Sequence, residues 1–450
     1  MKLTAKGREP NQGAEVRILS QQLLTRQKLA PGLAELALNA PPEKECRVMI
    51  ETVGQDAERI CSLVEANHGR IEQELRIIPG FVATLPLALL PEVVRFPQVF
   101  RIWEDVAVEI TADQAGFGAD GGEFTQEEYQ YTGRGITVAV LDTGISPLEE
   151  FTTPENRILA WYDLIGQEFE PYDDHGHGTR VSEAIAGNGR SGRGRRPGIA
   201  PAARLVGLKV LDSSGCGRLG DLLRGIEWCL DNRRVLNIRI INLTLGTRSQ
   251  DNYSRDPLSR ATAAAWRSGM VVCTTVGRVA PEYVAVNFPG ENRRIITVGN
   301  LETARHPLPV NDGRLQQPGQ PFPGAKFIVP DLVVSGVNPA VVSGGAAVLL
   351  ERNPRLRPDQ VKWVLKRKAT DLGLGRVLQG AGIFDLGRIC GINRSKAAAR
   401  QDGSSQLLNV ALRSALNLFG KRAAGDQLQI ADFLKAGLPL LNRILNGKEG

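Results

Sequence analysis

The sequence predicts an α/β protein: a layered sandwich on a central parallel sheet, preceded by a small β-α-β-β-α-β domain and followed by a helical extension. Two observations carry this. From about residue 134 to 390, short β-branched apolar runs (138–141, 205–211, 238–245, 270–274 and 295–298) alternate with helical patterns (180–186, 219–232, 258–268, 343–352 and 359–368). Runs of that kind suit strands buried on both faces of a parallel sheet, with helices covering those faces. The 49 glycines among 450 residues add the tight strand–helix junctions such a fold needs.

Residues 1–45 are mixed, with a helical pattern over 18–29. Residues 46–108 form a compact unit: a strand at 48–53, then a helix at 56–67 with Ile60, Leu63 and Val64 on one face and Gly69 just past its end. Strands at 71–78 and 81–85, a short helix at 89–94 and a strand at 99–108 complete a ferredoxin-like order. Residues 109–133 are rich in Gly, Asp and Glu and read as a linker. The α/β unit occupies 134–390. In 391–450, Leu407, Leu408, Ala411, Leu412, Ala415, Leu416 and Phe419 recur at helical spacing, and a second apolar helix covers 428–445. That hairpin either packs on the main domain or docks a partner; the pattern fits both.

Net charge is +6, which reads as a solvated arginine-rich surface, since no nucleic-acid-binding signature accompanies it. The basic loop at 188–196 is either an acidic-partner site or such a surface. The first 28 residues lack a secretory apolar stretch, and nothing approaches a membrane span. The six cysteines are scattered without a CxxC pair and read as free thiols of a reducing compartment. The cytoplasm is the expected location.

The chemistry concentrates at two positions. Asp142 ends a buried strand and is followed by Thr143-Gly144, a tight exit. His177 lies in the Gly-flanked turn Asp173-Asp174-His175-Gly176-His177-Gly178-Thr179. A serine hydroxyl needs an imidazole to take its proton and a carboxylate to fix that imidazole's tautomer, and this pair supplies both. Each residue also has a plainer reading: an Asp capping a turn, a His in a polar loop. Asp173, Asp174 and His175 could be read as a metal site, but no further ligand stands at metal spacing.

In their full context these segments resemble the subtilisin family (peptidase S8), in its non-secreted bacterial form. The segments 136–144 and 171–181 match the family's Asp and His motifs; 198–201 and 208–211 match the stretch between them. Ile241-Asn242-Leu243-Thr244-Leu245-Gly246 resembles the substrate-lining strand, which in the family reads Ser-Leu-Gly. Residues 48–108, with 78–83 and Trp103-Glu104-Asp105, resemble the inhibitory propeptide domain (inhibitor I9 type). The likeness runs from about residue 46 to 388. It implies a subtilisin-like three-layer sandwich, Asp142 and His177 as catalytic residues, Thr244, Leu245 and Gly246 as substrate-binding residues, and the propeptide-like domain over the cleft. A peptide or protein is the implied partner, with neither nucleic acid nor membrane. Calcium is implied by the family alone, since no Asp/Asn-rich loop claims it; no other cofactor is expected.

The departures matter as much. Where the family has an oxyanion-binding asparagine, this chain has Arg278. Where Gly-Thr-Ser should precede the helix near Gly344, three registers compete. Ser335 keeps the family's spacing to a proline, here Pro339. Alternatively, Gly336-Val337-Asn338 replaces the motif. In the third register, 330–338 is the family's Pro-Asp-Leu-Val-Ala-Pro-Gly-Val-Asn strand, differing only at Val334 and Ser335, and the loop that carries the serine has been excised. The third matches without a gap. The expectation is a pseudopeptidase that binds peptide or protein; the alternative is an active endopeptidase using Ser335 with Asp142 and His177.

Overall fold

The structure, a computed structural model, describes residues 27–54, 57–111, 130–190, 197–248, 255–276, 279–280, 283–284, 287–290, 292–300, 309–310, 326–327, 330–334 and 338–391. The helical patterns at 407–419 and 428–445, most of that at 18–29, and most of the basic loop fall outside these.

After a first helix, α1 (Pro31–Asn39), the N-terminal unit runs β1 (Glu45–Thr52), α2 (Glu58–Ala66), β2 (Arg70–Leu75), β3 (Gly80–Pro86), a short helical stretch (Leu87–Val93), and β4 (Val99–Glu104). Its sheet has the order β2-β3-β1-β4 and is antiparallel throughout. Ile60 and Val64 of α2 are buried against it, as their spacing predicts. Gly80 has no alternative: with φ of +154°, a Cβ there would stand 2.0 Å from the Ile50 carbonyl oxygen.

Two expectations change here. The strand read at 71–78 stops at Leu75, because the Arg76 and Ile77 N–H groups turn away to Glu227 Oε1 (2.5 Å each). The strand read at 99–108 is broken in two. Asp105 turns inward, and its backbone N–H reaches Arg47 O (3.0 Å). The chain leaves the first sheet and continues as β5 (Ala107–Ile110) in another.

The α/β unit begins with β6 (Thr137–Asp142) and β7 (Ile158–Asp163), followed by α3 (His177–Ala186) and β8 (Arg204–Lys209). Next come β9 (Cys216–Arg218), α4 (Leu219–Asn232), β10 (Ile238–Leu243), β11 (Leu245–Arg248), α5 (Pro257–Arg267) and β12 (Val271–Thr275). β13 (Asn287–Phe288), β14 (Ile296–Asn300), β15 (Leu332–Val334), α6 (Asn338–Arg352) and α7 (Pro358–Lys368) follow, with short two-residue strands and single-turn helices among and after them. Seven strands form one sheet in the order β15-β14-β12-β10-β6-β8-β7, every neighbouring pair parallel. All six residues of β6 are buried, as expected for a strand covered on both faces.

Chain order reverses at β6: β7 and β8 lie to one side, and β10, β12, β14 and β15 follow on the other. Functional groups in open α/β sheets gather beyond the carboxyl ends of strands at such a switch point, and Asp142 is the last residue of β6. Side-chain parity places the helices. Asn242 of β10 meets Ser343 of α6 (2.9 Å), whereas Leu141 lies against Gly225 of α4, so α6 and α4 cover opposite faces. α3 packs beside α6. Helix α6 starts at Asn338, earlier than the 343 expected, because Pro339 is tolerated in a first turn. Among the described residues, no helix is long and apolar enough to cross a membrane.

A second antiparallel sheet ties the two units together. Its order is β13-β11-β5-β9, so β5, the tail of the N-terminal unit, runs as the inner strand between β9 and β11.

Candidate active site

Two of the expected residues meet. His177 Nδ1 lies 2.7 Å from Asp142 Oδ1, and both side chains are buried. Asp142 is held by three further features. Its Oδ1 accepts the Thr143 N–H (2.8 Å), its Oδ2 accepts the Thr244 hydroxyl, and β6 is fixed by hydrogen bonds on both sides. Both oxygens of a buried carboxylate are therefore satisfied, which is what makes its charge tolerable. Burial alone would raise the Asp142 pKa, but the His177 imidazole and these hydrogen bonds outweigh it and hold the carboxyl below its ordinary value. For His177, burial alone favours the neutral ring; the Asp142 carboxylate overrides this and raises its pKa.

His177 opens α3, directly after Gly176 in the left-handed region (φ +84°). Asp173 organises this start. Its Oδ1 accepts the Gly176 N–H (2.7 Å), the His175 N–H (3.2 Å) and the Thr143 hydroxyl (2.8 Å). Its Oδ2 accepts the Thr179 N–H (2.8 Å) and hydroxyl (2.7 Å). Thr143 Oγ1 in turn accepts the Gly178 N–H (2.9 Å). The exit of β6 and the entry of α3 are thus laced together by side chains that satisfy free helix N–H groups. The close approach demands glycine at 144, where φ is +137° and a Cβ would stand 2.1 Å from Tyr172 O.

Lys209, at the end of β8, is a third anchor. Its buried ammonium donates to Thr143 O (2.6 Å), Leu211 O (3.0 Å) and Asp174 Oδ1 (2.6 Å), and lies 5.0 Å from the Tyr172 ring centroid. Sequence reasoning passed over Lys209 and gave Asp173 no structural role. The only signal for either was proximity to the Asp and His segments.

Thr244, Leu245 and Gly246 are also brought to the site. Thr244 supplies its hydroxyl to Asp142. Its carbonyl accepts the Thr111 N–H (3.0 Å) and hydroxyl (3.2 Å). Leu245 and Gly246 pair with Ile110 and Glu109 of β5. The protein's own residues 107–111 therefore lie along Thr244 and β11, one hydrogen-bonded residue away from the Asp–His pair. Ser335 and Arg278 lie outside the described residues. Among the described residues, no three His, Cys, Asp or Glu side chains converge on a metal position. Asp173 is engaged by N–H groups and hydroxyls, and Asp174 Oδ1 by Lys209.

The N-terminal unit docks through charged groups. Asp105 Oδ1 accepts the Gly220 N–H at the start of α4 (2.7 Å), and its Oδ2 pairs with Arg47 (2.6 Å). Arg47 also reaches Glu72 (2.5 Å) and Asp221 (3.3 Å). Glu51, which accepts the Trp103 indole N–H (3.1 Å), pairs with Arg260 of α5 (2.7 Å).

Comparison with known proteins agrees with this architecture. The profile of the subtilase family, peptidase S8, matches residues 133–340. The serine protease AprX of Bacillus subtilis is 32% identical over 306 residues, 59% of this chain and 68% of AprX. A thermostable alkaline protease of Halalkalibacterium halodurans is 28% identical over 79% of this chain and 94% of its own length. Among solved structures, fervidolysin of Fervidobacterium pennivorans, a keratinolytic enzyme related to subtilisin, superposes with a TM-score of 0.58 at 16% identity. That superposition covers 79% of this chain and 62% of fervidolysin, and shows the fold alone. With an Asp–His pair at the switch point of a parallel sheet and relatives of this extent, the chain belongs to the subtilase family.

Proposed function

We propose that this chain is a pseudopeptidase that binds peptide or protein: a subtilase-family protein that keeps Asp142 and His177, carries its own β5 between β9 and β11, and does not hydrolyse peptides. The observation that carries this reading is the join between β15 and α6. Strand β15 ends at Val334 and α6 begins at Asn338, so residues 335–337 are all the chain has where a nucleophile loop would stand. Strand β15 is the sheet edge, with β14, β12 and β10 between it and β6. At ~4.8 Å per strand, Val334 ends a strand about 19 Å across the sheet from the one that ends in Asp142. A nucleophile must come within ~3 Å of its base, here His177, which is held against Asp142 at the end of β6 (2.7 Å).

Two features add support. Arg278 replaces the family's oxyanion asparagine, a type of loss that costs ~10²–10³ in turnover. The pairing of β5, the tail of residues 46–108, with β11 supports reading this unit as a propeptide-like domain over the cleft. In this reading no self-cleavage frees it, and it remains the resident occupant of the cleft.

Two measurements test the proposal on the purified full chain. Intact mass should give a single uncleaved species, and a fluorophosphonate probe should leave it unlabelled. Labelling at Ser335 that His177→Ala abolishes, or an N-terminus within 109–133 that disappears in Ser335→Ala, would establish the active endopeptidase instead.

A further inference from the structure

Away from the Asp–His pair, the two units leave a groove between them. One cavity, of about 430 Å³, is lined by β2 on one side and by α4 and Tyr162 on the other. A second, of about 350 Å³, continues along β7 and the loop after it, as far as Phe169. Gln73, Tyr162 and Arg224 line both, so the two are continuous. Their sizes fall in the range of ligand sites.

Three properties set this groove apart. First, its two sides come from sheet edges. β2 is the outer strand of the N-terminal sheet and β7 the outer strand of the seven-stranded sheet, and edge strands carry ladder donors and acceptors that an added strand can use. Second, its wall is aromatic: Tyr162 stacks on Trp228 with ring centroids 6.1 Å apart, and Phe169 is 94% exposed at the rim. Third, its charge opposes that of the protein. The chain carries net +6, yet the groove gathers Glu72, Glu74, Asp163, Glu168, Glu227 and Asp231. Glu72 pairs with Arg47, which also serves Asp105 and Asp221, and Asp231 pairs with Arg76 (2.5 Å). Among the described residues Glu227 accepts the Arg76 and Ile77 N–H groups, and Asp163 accepts backbone N–H groups and the Tyr172 hydroxyl. No salt bridge engages Glu74 or Glu168 among the described residues. Against these four carboxylates stand Arg224, whose guanidinium donates to Gln73 Oε1 (3.3 Å), and Arg76, whose charge also lies near Glu227 and Glu74.

We infer that this groove is a second peptide site, built for an extended segment carrying arginine or lysine. Its backbone pairs with a free edge, and its cationic side chains lie on the Tyr162–Trp228 face and against Glu74, Glu168 and Glu227. The site is composite: Glu72, Gln73, Glu74 and Arg76 come from the N-terminal unit and the rest from the α/β unit. It therefore rests on the reading above, in which that unit stays attached. A relative that sheds its propeptide would lose one wall.

The test uses the full chain, its length first checked by intact mass, and two synthetic nonapeptides: one alternating arginine and valine, the other glutamate and valine. Calorimetry should detect the basic peptide, with affinity that falls as salt rises. The acidic peptide should bind at least tenfold more weakly. The double variant E74K/E168K changes two surface positions that support no described packing, and should reduce affinity for the basic peptide at least tenfold while leaving the melting temperature in place. A basic peptide in which alternate amides are N-methylated should bind more weakly, because it cannot complete a ladder. A full-length chain that binds both peptides equally, binds neither, or binds as well after E74K/E168K would overturn the site alone. A chain that has lost its first 111 residues would overturn the pseudopeptidase reading and the site with it.

Discussion

The Asp105 carboxyl offers a quantitative handle on how the N-terminal unit is held. It is 1% exposed, and its charge is met by Arg47 and by the Gly220 N–H (2.7 Å). Burial nevertheless dominates and pushes its pKa up to about 6 from 3.8. A group whose folded pKa lies above its unfolded value stabilises the fold most below the unfolded pKa, and that contribution is lost as pH rises through the folded pKa. For Asp105 the window runs from about pH 4 to about pH 6, and a rise of that size corresponds to about 3 kcal/mol. Asp105→Asn keeps the side-chain size and an oxygen for the Gly220 N–H but removes the titration. Asp221, whose pKa burial raises in the same direction, remains in both proteins. Urea unfolding at a series of pH values should therefore show wild type losing about 3 kcal/mol relative to Asp105→Asn between pH 4 and 7. A gap that stays constant, or that moves in favour of wild type as pH rises, would refute the argument.

Further tests address the Asp–His pair. Thr244→Val strips a donor from buried Asp142 and should cost about 1–3 kcal/mol in urea unfolding, with Thr244→Ser close to wild type. The His177 imidazole, followed by NMR, should titrate above its ordinary 6.5, so its contribution to stability is present below that value and fades as pH rises through the raised pKa. In Asp142→Asn, burial and the Arg180 charge are opposed only by Asp173, and the same ring should titrate below 6.5. Gly144→Ala would force a Cβ to 2.1 Å from Tyr172 O; at ~2 kcal/mol or more it should lower the melting temperature by several degrees and remove the downfield Nδ1 proton of His177.

Much of this was legible in the sequence because it depends on local pattern. The buried strand ending in Asp142 announces itself as an unbroken apolar run, and the glycines around His177 mark a close turn. What escaped depends on partners far away in the chain. Nothing in 107–110 signals that it leaves one sheet to pair with 216–218 and 245–248; only Asp105, a charged residue interrupting the alternation, marks the break. β9 is three residues long, too short for periodicity to register. Lys209 reads as an ordinary basic residue at a strand end, and its burial follows only once Thr143, Leu211 and Asp174 surround it. The edges of β2 and β7 were invisible for the same reason, since an edge is a property of the assembled sheet.

The inner hydrogen bonds of the Asp–His pair are made without a nucleophile. Asp142 is satisfied by Thr143, Thr244 and His177, and none of those bonds runs through a serine. Asp173 and Lys209 fix the flanking turns by contacts that likewise involve no substrate group. A serine hydroxyl removed from such a centre takes away one partner of the outer imidazole nitrogen and leaves every inner bond in place. Removing Asp142 instead would leave His177 buried without its partner, a kind of loss that costs about 3–5 kcal/mol when a buried pair is broken. The two carboxylate-side residues are thus retained by the fold's own stability, whereas the nucleophile is retained only by activity. On the proposed pseudopeptidase reading, a chain relieved of catalysis would be free to lose the segment before α6 while Asp142 and His177 persist.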